Sequence, residues 1–303
     1  MNKFLLDIGT KKLEVKKSGT TGPIIIIETG MGVSMYDWHE VIRVLEKTAT
    51  VIAYHRSGYG ESSPVSDEKR VISDITNDLH LLIQHMNISE PIILVAHSFG
   101  GVCAQHFAIQ YPDLIKGIVL VDASPTDYTS IEQLKSQLPV INERYNSSKV
   151  IERFNGFASK TYEELRELFK PRLMPGQEKL IEDLQRSILD FGISPMLYKA
   201  MANELNNIIN SKLSAEDLIK FPQVPLRVLV RDRTIEINKL VDAGVPYSEA
   251  EQLENLVQTL IREQSDLSKK GKLIEAKQCG HTIYRENPDI VILAIQQVID
   301  DII

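Results

Sequence analysis

The sequence predicts an α/β protein with a mainly parallel sheet, on three observations. Short apolar runs rich in β-branched residues recur at residues 24–28, 50–54, 92–96, 115–121 and 226–230, as expected of strands buried on both faces. Helical patterns lie between them. Residues 71–86 carry Val71, Ile75, Leu79, Leu82 and Ile83 at three- and four-residue spacing, the stripe of an amphipathic helix. Finally, the segment Ala96-His97-Ser98-Phe99-Gly100 joins one apolar run directly to one helical pattern. Strands and helices in alternation argue for helices on both faces of the sheet.

Each element follows in order. Residues 3–17 alternate around a turn at Gly9-Thr10 and read as two antiparallel strands. The pairs Lys11-Lys12 and Lys16-Lys17 read there as solvated strand edge. The buried strand at 24–28 ends in Thr29-Gly30-Met31-Gly32, and a helix is predicted over 38–46. The strand at 50–54 leads into a turn, then into the 71–86 helix. After the strand at 115–121 the rhythm breaks. Residues 125–221 are charged and helical, with helices expected over 131–138, 150–154, 162–169, 179–191 and 195–209. An insertion of this kind between two strands reads as a cap over the strand ends. The sheet resumes at 226–230, and a helix over 248–265, a last strand at 272–276 and a closing helix over 288–302 complete the chain. The predicted domains are therefore a core of residues 1–124 and 222–303 and a cap of residues 125–221.

Composition narrows the function. The 303 residues are 43% hydrophobic and 25% charged, with a formal net charge of -7, the profile of a folded chain. No dense Lys/Arg cluster offers a nucleic-acid face. The two cysteines, Cys103 and Cys279, make no disulfide framework, and no Cys/His cluster has zinc spacing. Cys103 reads as core, and Cys279 as a thiol close to His281. The first residues carry too short an apolar run for a signal peptide and no later run reaches membrane-spanning length. A cytoplasmic location, a small-molecule substrate, no metal, no nucleic acid and no membrane are the expectations. Gly58-x-Gly60 lacks the rest of a dinucleotide fingerprint and no Walker lysine is present, so no cofactor is expected. Oligomeric state stays open.

The turn around Ser98 carries the chemistry. Ala96 and Gly100 are small enough to pass close together while Ser98 takes a strained position and stands out as a nucleophile. Three further segments accompany it: Thr29-Gly30-Met31-Gly32, His55-Arg56-Ser57-Gly58-Tyr59-Gly60-Glu61-Ser62, and Gly280-His281 ahead of Pro288. In these four features the chain resembles the α/β-hydrolase superfamily, of the lid-bearing kind that includes small carboxylesterases, proline iminopeptidases and haloalkane dehalogenases. The likeness covers the predicted core, about two thirds of the chain, and the cap matches only in position. Three departures are visible. Ala96 replaces the first glycine of the G-x-S-x-G pattern, Thr29-Gly30 stands where the family has His-Gly, and His55 stands where it more often has aspartate. The resemblance implies the α/β-hydrolase fold: a mostly parallel eight-stranded sheet with a helical cap inserted after the sixth strand.

The resemblance also assigns roles. Ser98 is the nucleophile, and serine rather than aspartate at this turn favours acyl transfer over alkyl transfer. His281 is the base, late in the chain as the family order requires. The acid is Asp122, at the end of the 115–121 strand, with Asp232 the alternative and Glu236 behind it. Backbone N–H groups of Met31 and Phe99 would form the oxyanion hole, and their side chains would also wall the pocket. Gly30, His97, Phe154, Phe191, Met196, Leu197 and Met201 are the pocket candidates. His97 is alternatively a local hydrogen-bonding residue, His55 a structural one, and His39 a minor pocket candidate. The implied reaction is hydrolysis of a small carboxylic ester through an acyl-enzyme. Alternatives remain open: an iminopeptidase-type aminopeptidase, in which Glu204 would help hold the α-amine, carbon–carbon hydrolysis of a diketone, and a non-catalytic protein that binds a small ligand.

Overall fold

The computed structural model describes residues 2–65, 71–173, 177–209 and 212–302. The chain begins with β1 (Asn2–Asp7) and β2 (Lys12–Ser18), followed by β3 (Ile24–Glu28), α1 (His39–Leu45), β4 (Thr50–Tyr54) and α2 (Ile72–His85). Then come β5 (Ile92–His97), α3 (Phe99–Gln110) and β6 (Ile115–Val121). A helical insertion follows: α4 (Tyr128–Gln137), α5 (Pro139–Tyr145), α6 (Ser147–Ala158), α7 (Tyr162–Phe169), α8 (Glu182–Phe191), α9 (Pro195–Ile209) and α10 (Ala215–Ile219). The chain returns through β7 (Leu226–Arg231), α11 (Arg233–Asp242), α12 (Tyr247–Glu263), β8 (Gly271–Ala276), α13 (Ile283–Glu286) and α14 (Pro288–Asp300).

The eight strands form one sheet in the order β1-β2-β4-β3-β5-β6-β7-β8. The β1–β2 and β2–β4 pairs are antiparallel, and every later pair is parallel. Side chains alternate between the two faces, as a period of two requires. Ile25, Ile27, Ile93, Val95, Val119 and Val121 pack with Trp38, Val41, Val291 and Ile295 on one face. Ile26, Leu94, Ala96, Ile118 and Leu120 pack with Leu79, Leu82 and Phe107 on the other. Helices thus bury both faces, and this is why the central strands read as unbroken apolar runs.

Parallel strands all end at the same edge. Thr29, His55, Ser98, Asp122, Asp232 and Lys277 are each the first residue after a strand of the parallel sheet, so the chemically suggestive segments share one rim.

Two expectations are corrected. Lys16 is not solvated edge: β2 lies between β1 and β4, and Lys16 is 5% exposed. The edge is β1. The sequence reading also missed α11, whose short apolar set is broken by charges; Asp232 caps it by accepting the N–H of Thr234 at 3.0 Å. The predicted 38–46 helix begins as a 3₁₀ turn at Met35–Trp38. No helix among the described residues is long and apolar enough to cross a membrane.

Candidate active site

Ser98 sits between β5 and α3 with φ 51° and ψ -124°, in a left-handed region that a non-glycine residue adopts at a cost. The surrounding contacts enforce it. Its carbonyl accepts the N–H groups of Gly101 at 2.8 Å and Ser124 at 3.0 Å. Gly100 presses on the end of β3, where a Cβ would stand 2.4 Å from the Glu28 carbonyl oxygen. Smallness at Gly100 is thus required by the end of β3.

The β3 loop runs directly beside the serine. A Cβ on Gly30 would stand 3.1 Å from Ser98 Cβ and 2.5 Å from His97 Nδ1, so only glycine fits. The N–H groups of Met31 and Phe99 have no acceptor among the described residues. Phe99 opens α3, where N–H groups lack intrahelical partners and the helix dipole favours negative charge.

His281 and Asp122 meet from opposite ends of the chain. His281 Nδ1 lies 2.6 Å from Asp122 Oδ2. Arg231, the last residue of β7, donates its backbone N–H to Asp122 Oδ1 at 3.2 Å and Nη1 to Oδ2 at 2.8 Å. Asp122 is buried, which by itself pushes its carboxyl up; the Arg231 charge and the His281 bond outweigh this and hold it well below the usual range. An ionised acceptor at Oδ2 keeps the proton on Nδ1 and leaves the Nε2 lone pair available. Among the described residues neither Nε2 nor the Ser98 hydroxyl has a hydrogen-bond partner. Glu236 holds the loop rather than the ring: its Oε1 accepts the His281 backbone N–H at 3.1 Å.

His97 braces the same loop. Its Nε2 lies 3.0 Å from the His281 carbonyl oxygen, and its ring centroid is 4.6 Å from that of His281. Burial, with the adjacent His281 second, lowers its pKa to about 3. The ring is therefore neutral, and Nε2 donates.

Sequence reasoning gave Arg56 no role, yet it organises the β3 loop. Its Nη1 donates to the Thr29 carbonyl at 2.6 Å and its Nη2 to the Gly30 carbonyl at 3.2 Å. Glu28 and Glu204 neutralise it, the latter at 2.7 Å from Nε. Tyr59 donates to Glu204 and accepts the Gly32 N–H at 2.8 Å. One buried cluster thus joins α9 of the insertion to the loop beside Ser98. The signal was present: Glu28 closes an otherwise apolar strand, and a buried carboxylate needs a partner.

The remaining candidates disperse. Met201 lies over Gly32, where a Cβ would meet its Cε at 2.8 Å. Phe154 and Met31 pack on the cluster around Phe99 and Val102. The Phe99 ring is 1% exposed and stacks toward Arg56, so it is core and not a pocket wall. Phe191 and Leu197 pack with Tyr59, and the Met196 carbonyl lies near Gly58; none of these contacts reaches Ser98. Asp232 is excluded as the partner of His281, because it accepts from Thr234 and Gln278 instead. Cys279 is buried with Sγ toward the Lys277 carbonyl, and burial, then the Glu286 and Asp232 carboxylates, push its thiol up. It is held as the unreactive thiol. His55 is structural, with Glu14 on Nδ1 at 2.7 Å and the Met35 N–H on Nε2 at 3.0 Å. His39 contacts its own helix start. Among the described residues no group of His, Cys, Asp or Glu is arranged to hold a metal ion.

With the site described, its relatives can be placed. A family model described as the alpha/beta hydrolase fold matches residues 22–172. The chain belongs to the α/β-hydrolase superfamily. It is 21% identical over 293 residues to an AB hydrolase superfamily protein of Gibberella zeae, covering 91% of this chain and 86% of that protein. It is 24% identical over 308 residues to the probable transporter efuK of Hormonema carpetanum, covering 98% of this chain but 43% of that protein. Among solved structures, the enol-lactonase from Burkholderia xenovorans LB400 superposes with a TM-score of 0.63 at 15% identity, covering 98% of this chain and 100% of that chain.

Proposed function

We propose that this chain is a serine hydrolase that cleaves a small carboxylic ester through an acyl-enzyme. The observation that carries the reading is the His281 Nδ1 to Asp122 Oδ2 bond at 2.6 Å, made on the rim that also carries the strained Ser98. A serine hydroxyl is a weak nucleophile and needs a base. His281 Nε2 takes its proton as Oγ attacks the ester carbonyl. The ring becomes cationic, and Asp122, kept ionised by Arg231, stabilises that charge. The negative oxygen of the tetrahedral intermediate meets the free N–H groups of Met31 and Phe99. His281 then protonates the leaving alkoxide, and the same steps with water release the acid.

The aminopeptidase alternative needs a carboxylate free to hold an α-amine. Glu204, its candidate, is engaged on both oxygens by Arg56 and Tyr59, which favours the ester. The enol-lactonase relative acts, by its name, on a cyclic ester, so lactones belong in a substrate screen.

A fluorophosphonate probe tests the reading. Labelling of the parent chain that disappears in Ser98→Ala, with p-nitrophenyl acyl esters turned over faster than proline p-nitroanilide, is the expected result. A folded protein that is never labelled would instead favour the binding reading.

A further inference from the structure

One cavity lies outside the residues assigned to the hydrolytic reaction. It has a volume of about 600 Å³ and separates the β1–β2 hairpin and the His55 turn from α8 of the insertion. None of Ser98, Asp122 and His281 lines it. Its apolar walls include Tyr36, Leu184 and Phe191. Such a size lies within the usual range for small-molecule sites.

Lys16 is the informative residue on this wall. It is 95% buried by its 5% exposure, and among the described residues its Nζ has no hydrogen bond and no ion pair. The ammonium stands 5.9 Å from the centre of the Tyr36 ring, a weak cation–π contact. Its carboxylate neighbour is not available to it. Glu14, two positions earlier on the same strand face, is bound by His55, by the Tyr36 hydroxyl, by Lys3 and by the Glu61 N–H. A buried cation without a partner is costly. Burial accordingly holds its pKa below the ordinary lysine value, with Glu46 opposing this only at a distance.

We propose that this cavity is a binding site for an apolar monocarboxylate, with the carboxylate on Lys16 and the hydrocarbon body against Tyr36, Leu184 and Phe191. One unpartnered cation calls for one negative charge. A dianion such as a phosphate monoester would bring a second charge toward Glu14, Glu61, Asp183 and Asp190 of the same lining, whose two other cations are an exposed Arg186 and a Lys3 already paired with Glu14 and Glu61. Of the α8 residues that line the cavity, Leu184 and Phe191 offer apolar surface to a chain or ring, whereas the Asp183 and Asp190 carboxylates would repel a second acidic group. The site is independent of the hydrolytic reading, because it shares none of the three residues assigned to that chemistry.

The test is isothermal titration of the full chain carrying Ser98→Ala with sodium decanoate, so that turnover contributes nothing. One saturable site is expected. Lys16→Met should weaken it by roughly tenfold to a hundredfold, as for loss of a charged hydrogen bond. Ser187→Trp, which fills the cavity from α8, should abolish binding while the thermal melt stays close to that of the parent. Decan-1-ol should bind the parent as weakly as decanoate binds Lys16→Met. Absence of saturable binding, equal affinity in Lys16→Met, or unchanged binding in Ser187→Trp would each overturn the proposal; the last would assign decanoate to another site.

Discussion

Asp122 and His281 are 159 positions apart in the chain, yet Oδ2 and Nδ1 are 2.6 Å apart in the fold. Asp122 itself, the first residue after β6, has φ 43°, and Arg231 of the next strand fixes both its oxygens. The acid of the proposed reaction therefore comes from the strand before the insertion, and Asp232 after β7 is left to cap α11.

Asp122→Asn should lower kcat by about 10⁴-fold with little change in KM, because the amide no longer enforces the useful tautomer or stabilises the imidazolium. Asp232→Asn should stay within a few-fold and, as a cap substitution that keeps an acceptor, cost well under about 1 kcal/mol. Steady-state kinetics on the two variants decide between them; the reverse pattern would remove Asp122 from the mechanism.

Gly30→Ala adds a methyl where His97 Nδ1 would be 2.5 Å away. The β3 loop must move, taking the Met31 N–H with it. Loss of one oxyanion donor corresponds to about 10²- to 10³-fold in kcat. Far-UV circular dichroism should match the parent, and a variant with parental kcat would show that the Met31 N–H is not used.

Arg56→Met leaves Glu28 and Glu204 buried without their cation. Breaking a buried pair from one side costs about 3–5 kcal/mol, readable as a lower urea midpoint. Glu204→Gln keeps the shape and removes one charge, so its loss should be smaller, and it should lower kcat through the Gly30 carbonyl contact of Arg56.

Acid should destabilise the fold in two steps. Burial pushes Glu14 up, but the His55 bond and charge prevail and hold it at about 2 against an ordinary 4.5. The folded pKa is the lower one, so this stabilisation is present above about pH 4.5 and is lost as pH falls toward 2. It is worth about 3 kcal/mol in full. His97, lowered by burial from 6.5 to about 3, acts with the same sign from pH 6.5 downward, because the unfolded chain takes the proton first. Urea unfolding across pH 7 to 2 checks both. Glu14→Gln should flatten the lower part of the curve and His97→Asn the upper part.

Much of this was legible in the chain because it is local. The β-branched runs declare strands through their own burial pattern, and the Ser98 turn declares itself because Ala96, Ser98 and Gly100 must all sit within one tight bend. The insertion is visible as the place where strand signals stop. Lys16 was misread for the opposite reason: nothing near it in sequence says that β2 lies inside the sheet between β1 and β4, or that Tyr36 and α8 close a cavity around it.

The sequence by itself thus determined the strands, the longer amphipathic helices and which serine stands at a strand end, since these follow from spacing within a few residues. Only the tertiary structure decided which carboxylate meets His281, that Arg56 grips the β3 loop, and that Lys16 faces a cavity. Those outcomes depend on strand order. The placement of β6 beside β7, and of β2 beside β4, sets which distant charges are buried together, and a buried charge takes whatever partner the packing brings within reach.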